Sequence, residues 1–307
     1  MRIFFVGAFD VYRDYKFEVL LKSFGVEDRL VSYAFLRVYD NIFFVKMKRA
    51  MDKVLQNNLY NDVMLDSGAF TAAFKDVDIT VDDYLQFLDD FKFDYIIGLD
   101  KIPFDKEKGF TQKLFLESAE ETYQNCKLIQ DRGIENIPTF HQGEPYDALK
   151  RLCDEFDFVA LGISSRRIAR ADIHYLHLDK CFSIIPKTTR VHGLAMTDFN
   201  LPLIYPFYSV DSSTWEREAR YGKIKIRMFD EYATIGLTER LRNSVTKHYD
   251  FVLPEVRKEC DKYLAELGTN VDKCRDSHVE RYFVNIQYYN RLLREKKVRK
   301  YKSKELF

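Results

Sequence analysis

Three aspartates carry most of the chemistry open to this chain. Asp66, Asp100 and Asp211 each stand directly after a short apolar run of strand length, Asp62–Leu65, Asp94–Leu99 and Ile204–Val210. A carboxylate can attack as a nucleophile, carry a proton or accept hydrogen bonds from a donor edge, so a site that does more than one of these things needs more than one. Other polar and small residues follow the remaining runs. Ser67-Gly68-Ala69-Phe70 continues from Asp66, His141-Gln142-Gly143-Glu144 follows Ile137–Phe140, Gly162-Ile163-Ser164-Ser165 follows Phe156–Leu161, and His192-Gly193-Leu194-Ala195 closes Arg190–Ala195. Each has a plain reading alone: Asp66-Ser67-Gly68 is good turn chemistry, Asp211-Ser212-Ser213 can cap a helix, and Gln142-Gly143 can be a polar loop. Their common place just beyond a strand is what sets them apart.

With Arg2–Val6 and Leu30–Phe35 there are eight such runs, and helical segments alternate with them. That alternation is the signature of a parallel sheet covered by helices. Eight units predict a (β/α)8 barrel, in which the residues after every strand converge on one mouth. Thr80 is placed to cap a helix carrying Val81, Tyr84, Leu85 and Leu88 on one face, with Asp83 at the capping-box position. Thr111 opens a longer helix that ends at Gly133. Beyond Trp215 the pattern changes: from about Ile226 the chain reads as consecutive helices, with Pro254 at a first helical position and a long aromatic-rich helix from about Ser277. The expected division is a barrel over 1–222 and a helical extension over 223–307, offering surface to nucleic acid or to a second subunit.

The chain of 307 residues is long enough for one large domain, and 46% hydrophobic with 26 Phe and 20 Tyr it has ample material for a core. Its apolar runs fall well short of the roughly 20 residues that span a bilayer, and no signal peptide is expected ahead of the first strand. Five widely spaced cysteines with no C-x-x-C predict a reduced, cytoplasmic protein without disulfides. Lys plus Arg equals Asp plus Glu at 48 each, so overall charge does not call for a polyanionic partner, although the basic stretch Arg291–Lys304 could meet phosphates.

Six segments, in order between residues 60 and 215, resemble the tRNA-guanine transglycosylases and their DNA-modifying relatives. Leu65-Asp66-Ser67-Gly68-Ala69-Phe70 is similar to the family's D-S-G-G-[FY], Gly98 to Pro103 to its F-D-x-x-x-P, and Phe140 to Gly143 to its V-Q-G-G. Ala160-Leu161-Gly162 resembles A-I-G-G-L, Arg190 to Ala195 resembles R-Y-L-M-G-V-G, and Ser209-Val210-Asp211-Ser212 resembles [LV]-F-D-[CS]. The resemblance implies that Asp211 is the nucleophile at the sugar's anomeric carbon and that Asp66 handles the proton of the departing and incoming bases. It implies that Asp100, Gln142 and the backbone around Gly162 read a guanine edge with Ser67 assisting, that His192 and Gly193 line the pocket, and that Phe70 stacks on the ring. A double displacement at an anomeric carbon does need an ionised carboxylate and a second proton-handling group, and an extruded base is helped by an aromatic shelf.

The chain departs from the family in several places. The C-x-C-x-x-C…H zinc pattern is missing, and Cys260, Cys274 and His278 have the wrong spacing for it; no metal and no cofactor are expected. His174 and His177 could share a helix face but have no third ligand nearby. Ala69 replaces the second glycine, and Ile163 stands where a glycine admits the base edge. Arg166 and Arg167 follow that loop and are candidates to grip a phosphate, or are an ordinary surface pair. The first reading is exchange of guanine in DNA for a 7-deazaguanine such as preQ₀, in the zinc-less DNA-modifying branch known from phages and bacteria, with a homodimer as the assembly such relatives often form. The alternatives are exchange in tRNA, a DNA glycosylase in which water resolves the intermediate, and a non-catalytic partner subunit.

Overall fold

The eight apolar runs fold as strands, most of them shifted by a residue or two from the sequence reading. In a computed structural model they are β1 (Arg2–Val6), β2 (Asp28–Ser32), β3 (Asp62–Asp66), β4 (Tyr95–Ile96), β5 (Thr139–His141), β6 (Phe158–Gly162), β7 (Arg190–Leu194) and β8 (Ser209–Ser212). The residues described are 1–7, 14–34, 41–75, 78–105, 107, 109–163, 171–197, 201–229, 231–244 and 247–294. Among them the chain divides into two compact units, one of Met1–Glu18 and Glu27–Ser212, the other of Val19–Val26 and the described residues from Ser213 to Arg294.

In the first unit the strands pair in the order β4-β3-β2-β1-β8-β7-β6-β5, every pair parallel. A parallel bridge between Ile97 and Ile137 links the stretch after β4 to the stretch before β5. Helices α1 (Tyr15–Ser23), α2 (Asn41–Gln56), α3 (Ala69–Lys75), α4 (Val81–Asp90), α5 (Gln112–Asp131), α6 (Tyr146–Glu155), α7 (Ala171–Ile184) and α8 (Leu201–Ile204) alternate with the strands. This curled α/β arrangement is consistent with a (β/α)8 barrel. β8 begins at Ser209 rather than Ile204 because Leu201–Ile204 is helical, with Pro202 in a first turn where its missing N–H costs nothing.

Strand alternation sets one residue in two on the inner face. Phe4, Leu30, Met64, Ile97, Ile137, Phe158 and Ala160 form a buried cluster there. Towards the strand N-termini a polar layer lies next to it: Arg2 donates to Asp28 and Asp62, and Arg190 lies over the rings of Phe158 and Tyr208. At the opposite, C-terminal end the inner positions are Ser32, Asp66, His141, Gly162, Leu194 and Asp211, and that is where the polar residues singled out in the sequence gather. The caps form as expected: Thr80 accepts from the Asp83 backbone N–H, Thr111 accepts from Leu114, and Gly133 takes positive φ after α5.

The second unit corrects the expectation of consecutive helices. β9 (Lys223–Met228) and β10 (Glu231–Gly236) form an antiparallel hairpin before α10 (Pro254–Glu266), α11 (Val271–Asp276) and α12 (His278–Arg294), while α9 (Thr214–Arg220) precedes it. The cause is in the residues: Lys-Ile-Lys-Ile-Arg-Met alternates with period two, and its Ile224, Ile226 and Met228 are buried while Lys223, Lys225 and Arg227 are not. Those apolar residues pack with Leu264, Cys274 and Val284. Pro254 opens α10 as the sequence indicated.

Candidate active site

The turn Asp66-Ser67-Gly68 brings two of the aspartates together. Asp66 ends β3, and its Oδ2 accepts the Gly68 N–H at 3.1 Å. Gly68 has φ +72°, and a Cβ there would lie 2.3 Å from the Cβ of Ala34, so only glycine closes this turn. Ser67, fully buried, donates its hydroxyl to Asp100 Oδ1 at 2.7 Å and accepts the Ala69 N–H at 3.2 Å. It therefore reaches the pocket through Asp100.

Asp66 is tuned by this company. Burial, followed by the charges of Asp100 and Asp211, pushes its carboxyl up to about 7, against the pull of Ser32 and the Gly68 N–H. The charges of Asp100 and Asp211 thus both bear on Asp66, which is poised to gain or lose a proton near neutrality.

Asp211 lies on β8 opposite Phe4 of β1 and is buried. Its Oδ2 accepts two hydrogen bonds, from the Ala195 backbone N–H at 3.0 Å and from His192 Nε2 at 3.2 Å. Ala195 holds φ +54°, a left-handed conformation costly for a side-chain-bearing residue, and that turn is what aims its N–H at the carboxylate. Oδ1 accepts no hydrogen bond among the described residues.

His141 and Glu144 are functional candidates whose roles the sequence left unassigned. The register sets His141 at the end of β5 opposite Gly162. Its ring bridges Asp100 Oδ2 (2.9 Å from Nε2) and Glu144 Oε1 (3.2 Å from Nδ1), and Glu144 also accepts the His141 backbone N–H at 2.9 Å. Burial pulls the imidazole down, but the hydrogen bonds and charges of the two carboxylates outweigh it and hold it up at about 10. At neutral pH it is a cation, and both of its N–H groups donate to the flanking carboxyl groups. A Cβ on Gly162 would stand 3.2 Å from the His141 ring, so the glycine makes room for the imidazole.

The other expected residues fall as follows. Gln142 donates its backbone N–H to the Gly162 carbonyl at 2.9 Å, and it is His141 that engages Asp100. Phe70 is 46% exposed, with its ring 4.7 Å from Phe74, which stacks 4.6 Å from Phe104; the three rings edge the same end of the sheet. Gly193 lies on the other face of β7 from His192, where a Cβ would be 3.0 Å from Met196 and Phe207, so it serves packing. Arg166 and Arg167 lie outside the described residues. All five cysteines are free. Cys260 and Cys274 are buried in the core of the second unit, and no cluster of three or more His, Cys, Asp or Glu among the described residues could hold a metal ion; the residues present do not fit the family's zinc site. No helix among the described residues is long and apolar enough to cross a membrane.

No family model and no curated protein matches the chain.

Proposed function

We propose that this chain is a guanine transglycosylase-like enzyme that exchanges a base in nucleic acid through a covalent sugar–Asp211 intermediate. The first unit is read as a closed (β/α)8 barrel with its active site at the strand C-termini. The observation that carries the proposal is the gathering of Asp66, Asp100 and Asp211 closely enough that burial and the charges of the other two hold Asp66 near 7.

In the first half-reaction an Asp211 Oδ1 lone pair forms a bond to C1′ and the C1′–N9 bond breaks. The bonding pair leaves with the base, and protonated Asp66 supplies the proton that neutralises it. In the second half, ionised Asp66 takes the N9 proton of the incoming base, whose nitrogen attacks C1′ as the Oδ1–C1′ bond breaks and the carboxylate re-forms. A single group that must give and then take a proton works best with a pKa near the working pH, which is where Asp66 sits. Asp100, held in place by Ser67 and His141, accepts from the N1–H and amino group of a guanine-type edge. Phe70 offers an apolar ring for the base face.

DNA is preferred over tRNA as substrate because the sequence lacks the Cys and His pattern of the tRNA-acting relatives, and a 7-deazaguanine such as preQ₀ is the incoming base in this reading. A cytoplasmic location and a homodimer complete it. The test is mass spectrometry of nucleosides from DNA and RNA of cells expressing the wild type or Asp211→Asn. A deazaguanine nucleoside in DNA with the wild type alone is expected; an unchanged nucleoside pool in both would refute the proposal, and abasic sites in its place would point to base excision by water.

A further inference from the structure

We propose that His192 is a positioning residue that acts through Asp211, holding Oδ2 so that Oδ1 is the oxygen that attacks and leaves; this rests on the transglycosylase reading above. The resemblance would have His192 line the pocket, but both of its ring nitrogens are engaged by neighbours within the protein. Its side chain is fully buried on the inner face of β7, edge-on to Phe4 at 6.0 Å. Nδ1 lies 2.8 Å from Ser209 Oγ and Nε2 lies 3.2 Å from Asp211 Oδ2. Both ring nitrogens are therefore used.

The chain of contacts has a direction. Ser209 and Asp211 are two residues apart on β8, share its inner face, and face His192, which pairs with Ser209 in the strand register. Ser209 can donate its hydroxyl to Nδ1, which leaves the ring proton on Nε2 to be donated to Asp211. With the Ala195 N–H, that gives Oδ2 two donors and Oδ1 none among the described residues. A carboxylate without fixed donors turns about Cβ–Cγ and offers either oxygen; here one is held by two donors and the other is left without one among the described residues. In the covalent intermediate Oδ2 is the ester carbonyl and keeps the same two donors. When the Oδ1–C1′ bond breaks, the returning negative charge meets hydrogen bonds already in place, which is where preorganised donors lower a barrier.

The test is steady-state base exchange on DNA with His192→Phe, His192→Gln and Ser209→Ala, with melting temperatures recorded for each. His192→Phe keeps the ring shape but removes the donor, and is expected to lower kcat about 100-fold with the KM for base and for DNA within about threefold. His192→Gln, whose amide nitrogen can reach Oδ2, is expected to recover most of that loss. Ser209→Ala should cost several-fold alone and nothing further on the His192→Phe background, and it decides the matter alone if His192→Phe does not fold. A raised KM with unchanged kcat would overturn the proposal in favour of direct substrate contact. A folded His192→Gln no better than His192→Phe, or full activity in Ser209→Ala, would also overturn it. A wild type inactive on both DNA and RNA would instead refute the transglycosylase reading, and this role with it.

Discussion

At the scale of single residues, the site is a set of charges whose protonation is set by neighbours, and this has consequences for stability as well as chemistry. Asp66 titrates near 7 in the folded protein against an ordinary value of 3.8. Between those values the native state holds a proton that the unfolded chain has released, so folding stability falls as pH rises from about 4 to 7 and stays lowered above. Asp66→Asn is expected to match the wild type in the free energy of unfolding by urea near pH 4 and to exceed it by on the order of 2 kcal/mol at pH 8; equal free energies at both pH values would mean that Asp66 is not burdened by its burial and by Asp100 and Asp211. His141 has the opposite role. Its folded value of about 10 lies above the ordinary 6.5, so its contribution is complete below 6.5 and is lost as pH rises through 10. The wild type should therefore weaken between pH 7 and 10 in thermal melts, and His141→Phe should lack that alkaline decline. The three aspartates were legible because each follows a strand, where a barrel must collect them. The part played by His141 was not, since the family-like pattern drew attention to Gln142 one position on, and a one-residue offset at a strand end decides which side chain faces the mouth.

At the scale of elements, the buried ion pair between α1 and β2 holds part of the first unit together. Arg29 donates to Glu18 from Nε (2.9 Å) and Nη2 (3.1 Å), both side chains being essentially inaccessible. It also donates to the carbonyls of Phe5 and Gly7, and Tyr60 donates to Glu18 at 2.7 Å. Removing one partner leaves a buried charge uncompensated, so Glu18→Ala should lose about 3–5 kcal/mol in denaturant unfolding. A loss below about 1 kcal/mol would be surface-pair behaviour and would contradict this burial. Element reading from sequence worked where capping chemistry and period agreed, as at Thr80, Thr111 and Pro254. It failed at residues 223–236, where the alternating Lys-Ile-Lys-Ile-Arg-Met was present but was absorbed into a run of helices. The hairpin turn there places Phe229 at φ +50°, a conformation that turn-favouring Gly or Asn adopts readily; without either residue the turn carried no sequence signal.

At the scale of the whole molecule, a neutral total conceals an uneven distribution. Residues 1–212 hold 26 Lys and Arg against 33 Asp and Glu, whereas residues 213–307 hold 22 against 15. A site built from carboxylates repels a phosphate backbone, and the attraction a nucleic-acid substrate requires must come from the basic part of the chain. Replacing Lys296, Lys297, Arg299 and Lys300 with Gln is expected to weaken DNA binding and to reduce the salt dependence of log Kd by up to about 4 in slope. The KM for the free base should be unchanged. An unaltered salt slope would remove this segment from the interface.

The central claim is that Asp211 forms a covalent bond to the sugar of a nucleic acid while Asp66 and Asp100 manage the base. The most direct measurement is to incubate the protein with guanine-containing DNA or RNA without an incoming base, denature it, and locate any adduct by peptide mass spectrometry. A sugar-linked peptide carrying Asp211, absent in Asp211→Asn and discharged when free base is added before denaturation, is the predicted result. An adduct on another residue, or none with either nucleic acid from a protein that exchanges bases, would contradict it.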